Sequence, residues 1–239
     1  GAVYIFTRVA GTWAQQAYIK ASDSIENMGF GRTVSISGDQ LAVGANGNVY
    51  MFERTNELWQ EAQILVGHNT TAIDSFGDSV KLDGDVLVVG APNHSSNKGA
   101  VYVFEKLDST WSQTGYLMAS NADAATANGH GLYFGMHIDV SNSQIAVGTE
   151  YEDGVGTGVN GDQTQYLNIS SGAAYIFSKI DGFWEQTAYV KPSINFLAGD
   201  QFGRSIAIDG SVLVVGSSST SEATGVSAEI KTGTAPGSG

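Results

Sequence analysis

The sequence contains no cysteine, which excludes disulfide staples, thiolate metal sites and a cysteine nucleophile. Proline is nearly absent, with 3 residues in 239, so there is no proline-rich linker. Basic residues are scarce as well: 11 Lys and Arg face 24 Asp and Glu, for a net charge of -13. A surface of that sign repels phosphate backbones and anionic headgroups, so no nucleic acid partner and no membrane insertion are expected. No apolar run approaches the roughly 20 residues of a membrane-spanning helix. No segment of useful length carries a helical period either. Residue 1 is Gly rather than Met, and a processed or excerpted chain is expected on that ground.

What is present is apolar material for a core, at 42% hydrophobic residues, and 31 glycines arranged in a repeat. One unit reads Gly1-Ala2-Val3-Tyr4-Ile5-Phe6, Gly47-Asn48-Val49-Tyr50-Met51-Phe52, Gly99-Ala100-Val101-Tyr102-Val103-Phe104 and Gly172-Ala173-Ala174-Tyr175-Ile176-Phe177. Each Tyr is followed nine residues later by Trp13, Trp59, Trp111 or Trp184, which are all four tryptophans. A second unit begins at Phe30-Gly31, Phe76-Gly77, Phe134-Gly135 and Phe202-Gly203. Fourteen residues after each Phe stands the Gly of a Val-Gly pair, at 44, 90, 148 and 216.

Short β-branched runs such as Val34-Ser35-Ile36 and Val86-Leu87-Val88-Val89 read as strands. Between them lie hairpin turns such as Asp83-Gly84-Asp85 and Ser141-Asn142-Ser143, rich in residues that tolerate positive φ. Each full unit is therefore four antiparallel strands, A to D, and a four-stranded sheet recurring at this spacing predicts an all-β fold of β-propeller blades. The expected divisions are a half-blade at 1–28, blades at 29–75, 76–133 and 134–201, a half-blade at 202–216, and a Ser/Gly/Thr-rich loop or tail at 217–239. The fixed Phe, Tyr and Trp positions are read as packing residues between blades.

These motifs resemble the FG-GAP repeats of the integrin-α-like β-propeller family. The Phe-Gly pairs supply the first half of that signature, and Val89-Gly90-Ala91-Pro92 the second; Gly148-Thr149-Glu150 and Gly216-Ser217-Ser218 depart from it. The similarity is greatest to secreted microbial members. It implies an extracellular or surface-displayed propeller, often seven-bladed, used in adhesion or ligand binding and sometimes carrying calcium in a loop. It carries over no catalytic residue.

The repeat runs C-D, then A-B-C-D three times, then A-B, which amounts to four blade-equivalents. Gly148 to Tyr175 spans 27 residues, and Gly216 through Gly239 and round to Tyr4 spans the same. Two arrangements satisfy this phase: a ring whose last blade is shared by the N- and C-terminal strands, and part of a larger ring or array. Closure within the chain, or with a partner copy, is slightly favoured because it hides edge strands.

Function is sought in the B-to-C and D-to-A connections, which emerge on one face and vary in length. The longest carries Glu150, Glu152, Asp153, Asn160 and Asp162, oxygen donors of a type that suits Ca²⁺ but without the Asp-x-Asp-x-Asp-Gly spacing. Tyr133, Tyr151 and Tyr166 lie in or beside these connections and are candidate ligand contacts. Asn69, Asn93 and Asn168 head glycosylation sequons. Asp74 and Asp200, each two residues before a Phe-Gly, read as turn caps, and His68, His94, His130 and His137 share no metal spacing.

The expected function is an extracellular binding or adhesion module for a protein or glycan. The alternative is a structural subunit of a surface layer or filament that self-associates through its half-blades. A carbohydrate-active enzyme is the least favoured reading, since no acid and base pair is identifiable and no Gly-x-Ser-x-Gly elbow occurs. No cofactor beyond Ca²⁺ is indicated.

Overall fold

The computed structural model describes residues 1–23, 26, 29–123, 129–167, 169–193 and 197–219. Among these described residues sixteen strands form five antiparallel sheets. A two-stranded sheet comes first, β1 (Val3–Val9) with β2 (Thr12–Ile19). Sheet I follows as β3 (Thr33–Ser37), β4 (Gln40–Ala45), β5 (Asn48–Thr55) and β6 (Leu58–Leu65). Sheet II comprises β7 (Ser79–Asp83), β8 (Val86–Ala91), β9 (Ala100–Leu107) and β10 (Thr110–Leu117). Sheet III comprises β11 (His137–Ser141), β12 (Gln144–Thr149), β13 (Ala173–Ile180) and β14 (Phe183–Val190). A second two-stranded sheet, β15 (Phe202–Asp209) with β16 (Val212–Ser217), comes last. Each complete sheet is a meander in sequence order, as a propeller blade requires. Among the described residues the one helical element is a single turn, α1 (His94–Asn97), with Ser95 and Ser96 in the left-handed region.

The sheets stack in chain order. β3 lies against β7, β7 against β11 and β11 against β15 along the inner side, while β2, β6, β10 and β14 follow one another outside. Phe76 stacks edge-on against Tyr102 and Phe104 within sheet II, and Phe30 and Phe134 repeat this against Tyr50 and Phe52 and against Tyr175 and Phe177. All three tyrosines are fully buried. The repeated glycines mark where backbones of adjacent sheets meet. A Cβ on Gly44, Gly90 or Gly148 would lie well under 3.0 Å from the carbonyl oxygen of Gly77, Gly135 or Gly203 in the next sheet.

Two expectations need correction. Among the described residues β16 does not pair with β1, and no last blade shared by these two strands is formed. The two half-sheets sit at opposite ends of the stack, one against sheet I and the other against sheet III. The aromatic positions of the first half-sheet are not packed: Tyr4 is 57% exposed because no A-B hairpin lies beside β1 among the described residues, and Trp13 is 66% exposed because it has no preceding sheet there to meet, as Trp59 meets Gln16 and Trp184 meets Glu105.

Candidate functional site

The longest connection, residues 150–172 between β12 and β13, is anchored by a buried polar network. Glu152 Oε1 accepts from Asn121 Nδ2 at 3.1 Å and from Tyr189 Oη at 2.9 Å. Its Oε2 takes the Lys191 ammonium, which also donates to Ser171 Oγ at 3.1 Å. Ser171 and Asn121 are themselves buried, and Asn121 Oδ1 accepts from Tyr175 Oη at 2.7 Å. Farther along, Asn160 N donates to Tyr189 O and Lys191 N to Gly158 O, so the connection lies along the outer edge of sheet III. Burial pushes the Lys191 ammonium below its ordinary range, and the Glu152 charge pulls against that.

The five oxygen donors expected to hold Ca²⁺ are not brought together. Glu152 is committed to Lys191, and Asp153 Oδ1 accepts from Ser170 N at 2.6 Å. Asn160 Oδ1 accepts from Tyr189 N at 2.9 Å, while Asp162 closes its own turn on Thr164 and Gln165. Glu150 faces a different way, toward His137 and Arg204. Among the described residues no three His, Asp or Glu side chains gather as a metal site would require.

Two of the three tyrosines do meet. Tyr133 and Tyr151 stack edge-on with centroids 5.5 Å apart, and Tyr133 is held at φ 52°, a left-handed conformation uncommon for a bulky residue. Tyr166 is elsewhere: its ring packs on the core of sheet III, and its hydroxyl donates to Gln163 O. Beside Tyr151 the Glu150 carboxylate is buried, with Oε1 3.8 Å from His137 Nε2 and Oε2 3.3 Å from Arg204 Nη1. Burial and then the Glu150 charge push the Tyr151 phenol up. Burial holds His137 below the usual imidazole range, and Arg204 acts in the same direction against the pull of Glu150. His137 and Arg204 also line an open cavity of about 430 Å³ between the inner strands, together with Val34, Lys81 and Ile206.

His137 and Arg204 were not singled out by sequence reasoning, yet a signal existed. Three residues after the Phe of each Phe-Gly the other repeats carry Thr33, Ser79 and Ser205, and sheet III alone carries His. Thr33 and Ser79 hydroxyls donate to the carbonyls of Gly77 and Gly135 in the next sheet, a packing role. The repeat is broken at 137 where its neighbours serve packing.

The remaining candidates have local roles. Asp74 Oδ2 accepts from Thr71 N at 2.6 Å and Asp200 Oδ2 from Leu197 N at 2.8 Å, both closing the turn before a Phe-Gly. Burial raises the Asp74 carboxyl, but the Thr71 and His94 hydrogen bonds outweigh it and the net shift is downward. His68 and His94 pack edge-on against Tyr116, and His130 is exposed. Of the sequon residues, Asn69 is exposed, while the Asn93 amide donates to Ser75 Oγ at 2.7 Å. Asn168 lies outside the described residues.

With sheets and glycine contacts established, the family comparison is decisive: the FG-GAP repeat model matches residues 13–51, 59–104 and 184–229, more than half of the chain. The chain belongs to the FG-GAP repeat family. Each matched FG-GAP segment begins at a repeat Trp, and the first two end in strand β5 or β9. The 150–172 connection, Tyr133 and His137 lie outside the matched segments, whereas Arg204 lies inside the third. No curated protein matches the sequence. No helix among the described residues is long and apolar enough to cross a membrane.

Proposed function

We propose that this FG-GAP chain is an extracellular binding module of the adhesion type, which presents the 150–172 connection and its neighbours to a protein or glycan ligand. One observation carries the reading: the stacked Tyr133 and Tyr151 stand beside the buried Glu150 carboxylate, which meets Arg204, a half-exposed guanidinium that lines the cavity between the inner strands. Aromatic faces accept a sugar ring or an apolar side chain, and the Glu150 and Arg204 groups give such a contact direction. The rigid part of each repeat is spent on packing between sheets, which leaves variable connections to do the recognising.

The test is an array of glycans and extracellular protein domains probed with the wild-type chain and with Tyr151→Ala and Arg204→Ala. The expected result is a ligand whose binding falls at least tenfold in both variants while their melting temperatures stay near wild type. Empty arrays, or a ligand whose affinity neither variant changes, would remove the proposal.

A further inference from the structure

Asn121, Glu152 and Lys191 bring an amide, a carboxylate and an amine together where water does not reach. All three are buried, as are Tyr175, Tyr189 and Ser171 around them. Asn121 comes from the connection after β10, Glu152 from the 150–172 connection and Lys191 from the chain just after β14. Seven residues after the other repeat tryptophans stand Lys20, Val66 and Met118, none of them buried. At sheet III the long connection folds over that position and encloses its lysine against a carboxylate. Gly154 backs directly on the cluster, where a Cβ would lie 2.5 Å from Glu152 Oε1.

The hydrogen bonds orient each group. A carboxylate only accepts, so Asn121 turns its Nδ2 toward Glu152 Oε1, at 3.1 Å, and its Oδ1 toward the Tyr175 hydroxyl, at 2.7 Å. Lys191 Nζ donates to the other oxygen, Oε2. One carboxylate therefore touches both the amine and the side-chain amide nitrogen, while a phenol donor rests on the amide oxygen. Acyl transfer needs these parts: a nucleophile beside a base, and a donor where negative charge develops. Burial pushes the Lys191 ammonium toward its neutral, nucleophilic form.

We propose that these groups react with one another: Lys191 Nζ attacks Asn121 Cγ and forms an intramolecular isopeptide bond, with release of ammonia. Glu152 first takes a proton from the ammonium. The amine adds to Cγ, and Tyr175 Oη holds the charge that develops on Oδ1. The Glu152 acid passes its proton to Nδ2, the Cγ–Nδ2 bond breaks and ammonia leaves. Glu152 then takes a proton from the newly bonded nitrogen and ends as a neutral acid, so no oxidant or other reactant is consumed. A buried ion pair, costly to desolvate, is exchanged for a neutral amide. The bond ties the connection after sheet II to the end of sheet III, a covalent staple in a chain that has no cysteine. The charged pair is the resting form, so the bond closes after folding, and the Lys191–Glu152 ion pair belongs to the freshly folded, unlinked chain. The inference is independent of the ligand-binding reading, because neither Tyr133, Tyr151 nor Arg204 takes part.

Intact-mass spectrometry of the folded chain after prolonged incubation at neutral pH is expected to show a loss of about 17 Da, one ammonia. Trypsin digestion of that sample is expected to leave segments 107–179 and 180–204 joined through Asn121 and Lys191. Lys191→Arg and Asn121→Ala should keep their full mass, and Glu152→Ala should link at least tenfold more slowly than wild type. The joined wild-type segments decide the matter if a variant fails to fold. Full mass with the two segments separate would overturn the proposal, and so would ammonia loss without joined segments, as a succinimide gives. A loss of about 18 Da, joining Lys191 to Glu152 instead, would also overturn it, as would a link that forms as fast in Glu152→Ala.

Discussion

Lys191 and Glu152 form an ion pair in which both side chains are fully buried. Lys191 directly follows β14, and Glu152 lies near the start of the 150–172 connection, so the pair fastens that connection to sheet III. Asn121 and Tyr189 fill the second carboxylate oxygen, leaving the charge compensated and hydrogen-bonded. Replacing Lys191 alone with Met strands a buried carboxylate, and urea unfolding is expected to show a loss of about 3–5 kcal/mol. The double variant Lys191→Met with Glu152→Gln removes both charges and keeps the amide as a partner, so it should recover most of the loss. Equal stability of the single and double variants would contradict this account.

Gly90 is where sheet II meets the backbone of sheet III. A Cβ there would meet the Gly135 carbonyl, which a rigid strand cannot withdraw. Gly90→Ala is expected to lower unfolding free energy by about 1–3 kcal/mol or more through overpacking. At Gly216 the only atom so close is the Ser205 hydroxyl, which can rotate away. Gly216→Ala should therefore cost less than Gly90→Ala, as paired denaturant titrations would show.

The sheets were legible in the sequence because packing imposed the same residues at the same spacing in each repeat, as at Phe76, Tyr102 and Gly90. The site was only partly legible. Tyr133 and Tyr151 are 18 positions apart, and nothing in the local pattern says that their rings meet. Grouping Glu152, Asp153 and Asp162 by sequence nearness failed for a related reason: Glu152 is matched to Lys191 and Asp153 to the Ser170 amide, partners brought by the fold, while Asp162 is taken up by its own turn on Thr164. A third rule was present and unread. Asp23, Asn69 and Asn121 each stand ten residues after a repeat Trp, and each accepts from the repeat Tyr of the following sheet.

His137 gives the site a pH dependence with a definite sign. Its folded-state pKa is lowered, mainly by burial, so between that value and the ordinary value of about 6.5 the unfolded chain binds more protons. Its contribution is present above about pH 6.5 and is lost as pH falls toward the folded-state value. Melting temperatures measured from pH 7.5 to pH 5 should fall for wild type, and less steeply for His137→Gln. Arg204 and Glu150 act on the imidazole in opposite directions. In an NMR titration, Arg204→Gln should raise the His137 pKa and Glu150→Gln should lower it; shifts of the same sign in both would sink the assignment.

The Tyr rungs separate a buried hydrogen bond from an accessible one. Tyr102 Oη donates to Asn69 at 2.6 Å and Tyr175 Oη to Asn121 at 2.7 Å, and both tyrosines are fully buried. The acceptors differ: Asn69 is exposed, whereas Asn121 is buried. Removing the hydroxyl lets water reach Asn69 but leaves the Asn121 carbonyl without its donor. Tyr175→Phe is therefore expected to cost about 1–3 kcal/mol, and Tyr102→Phe about 1 kcal/mol or less. Because Asn121 also donates to Glu152, the Tyr175→Phe loss should shrink when Glu152 is already Gln, and a double-mutant cycle measures that coupling. Equal costs at the two tyrosines would show that acceptor burial does not set the energy of these rungs.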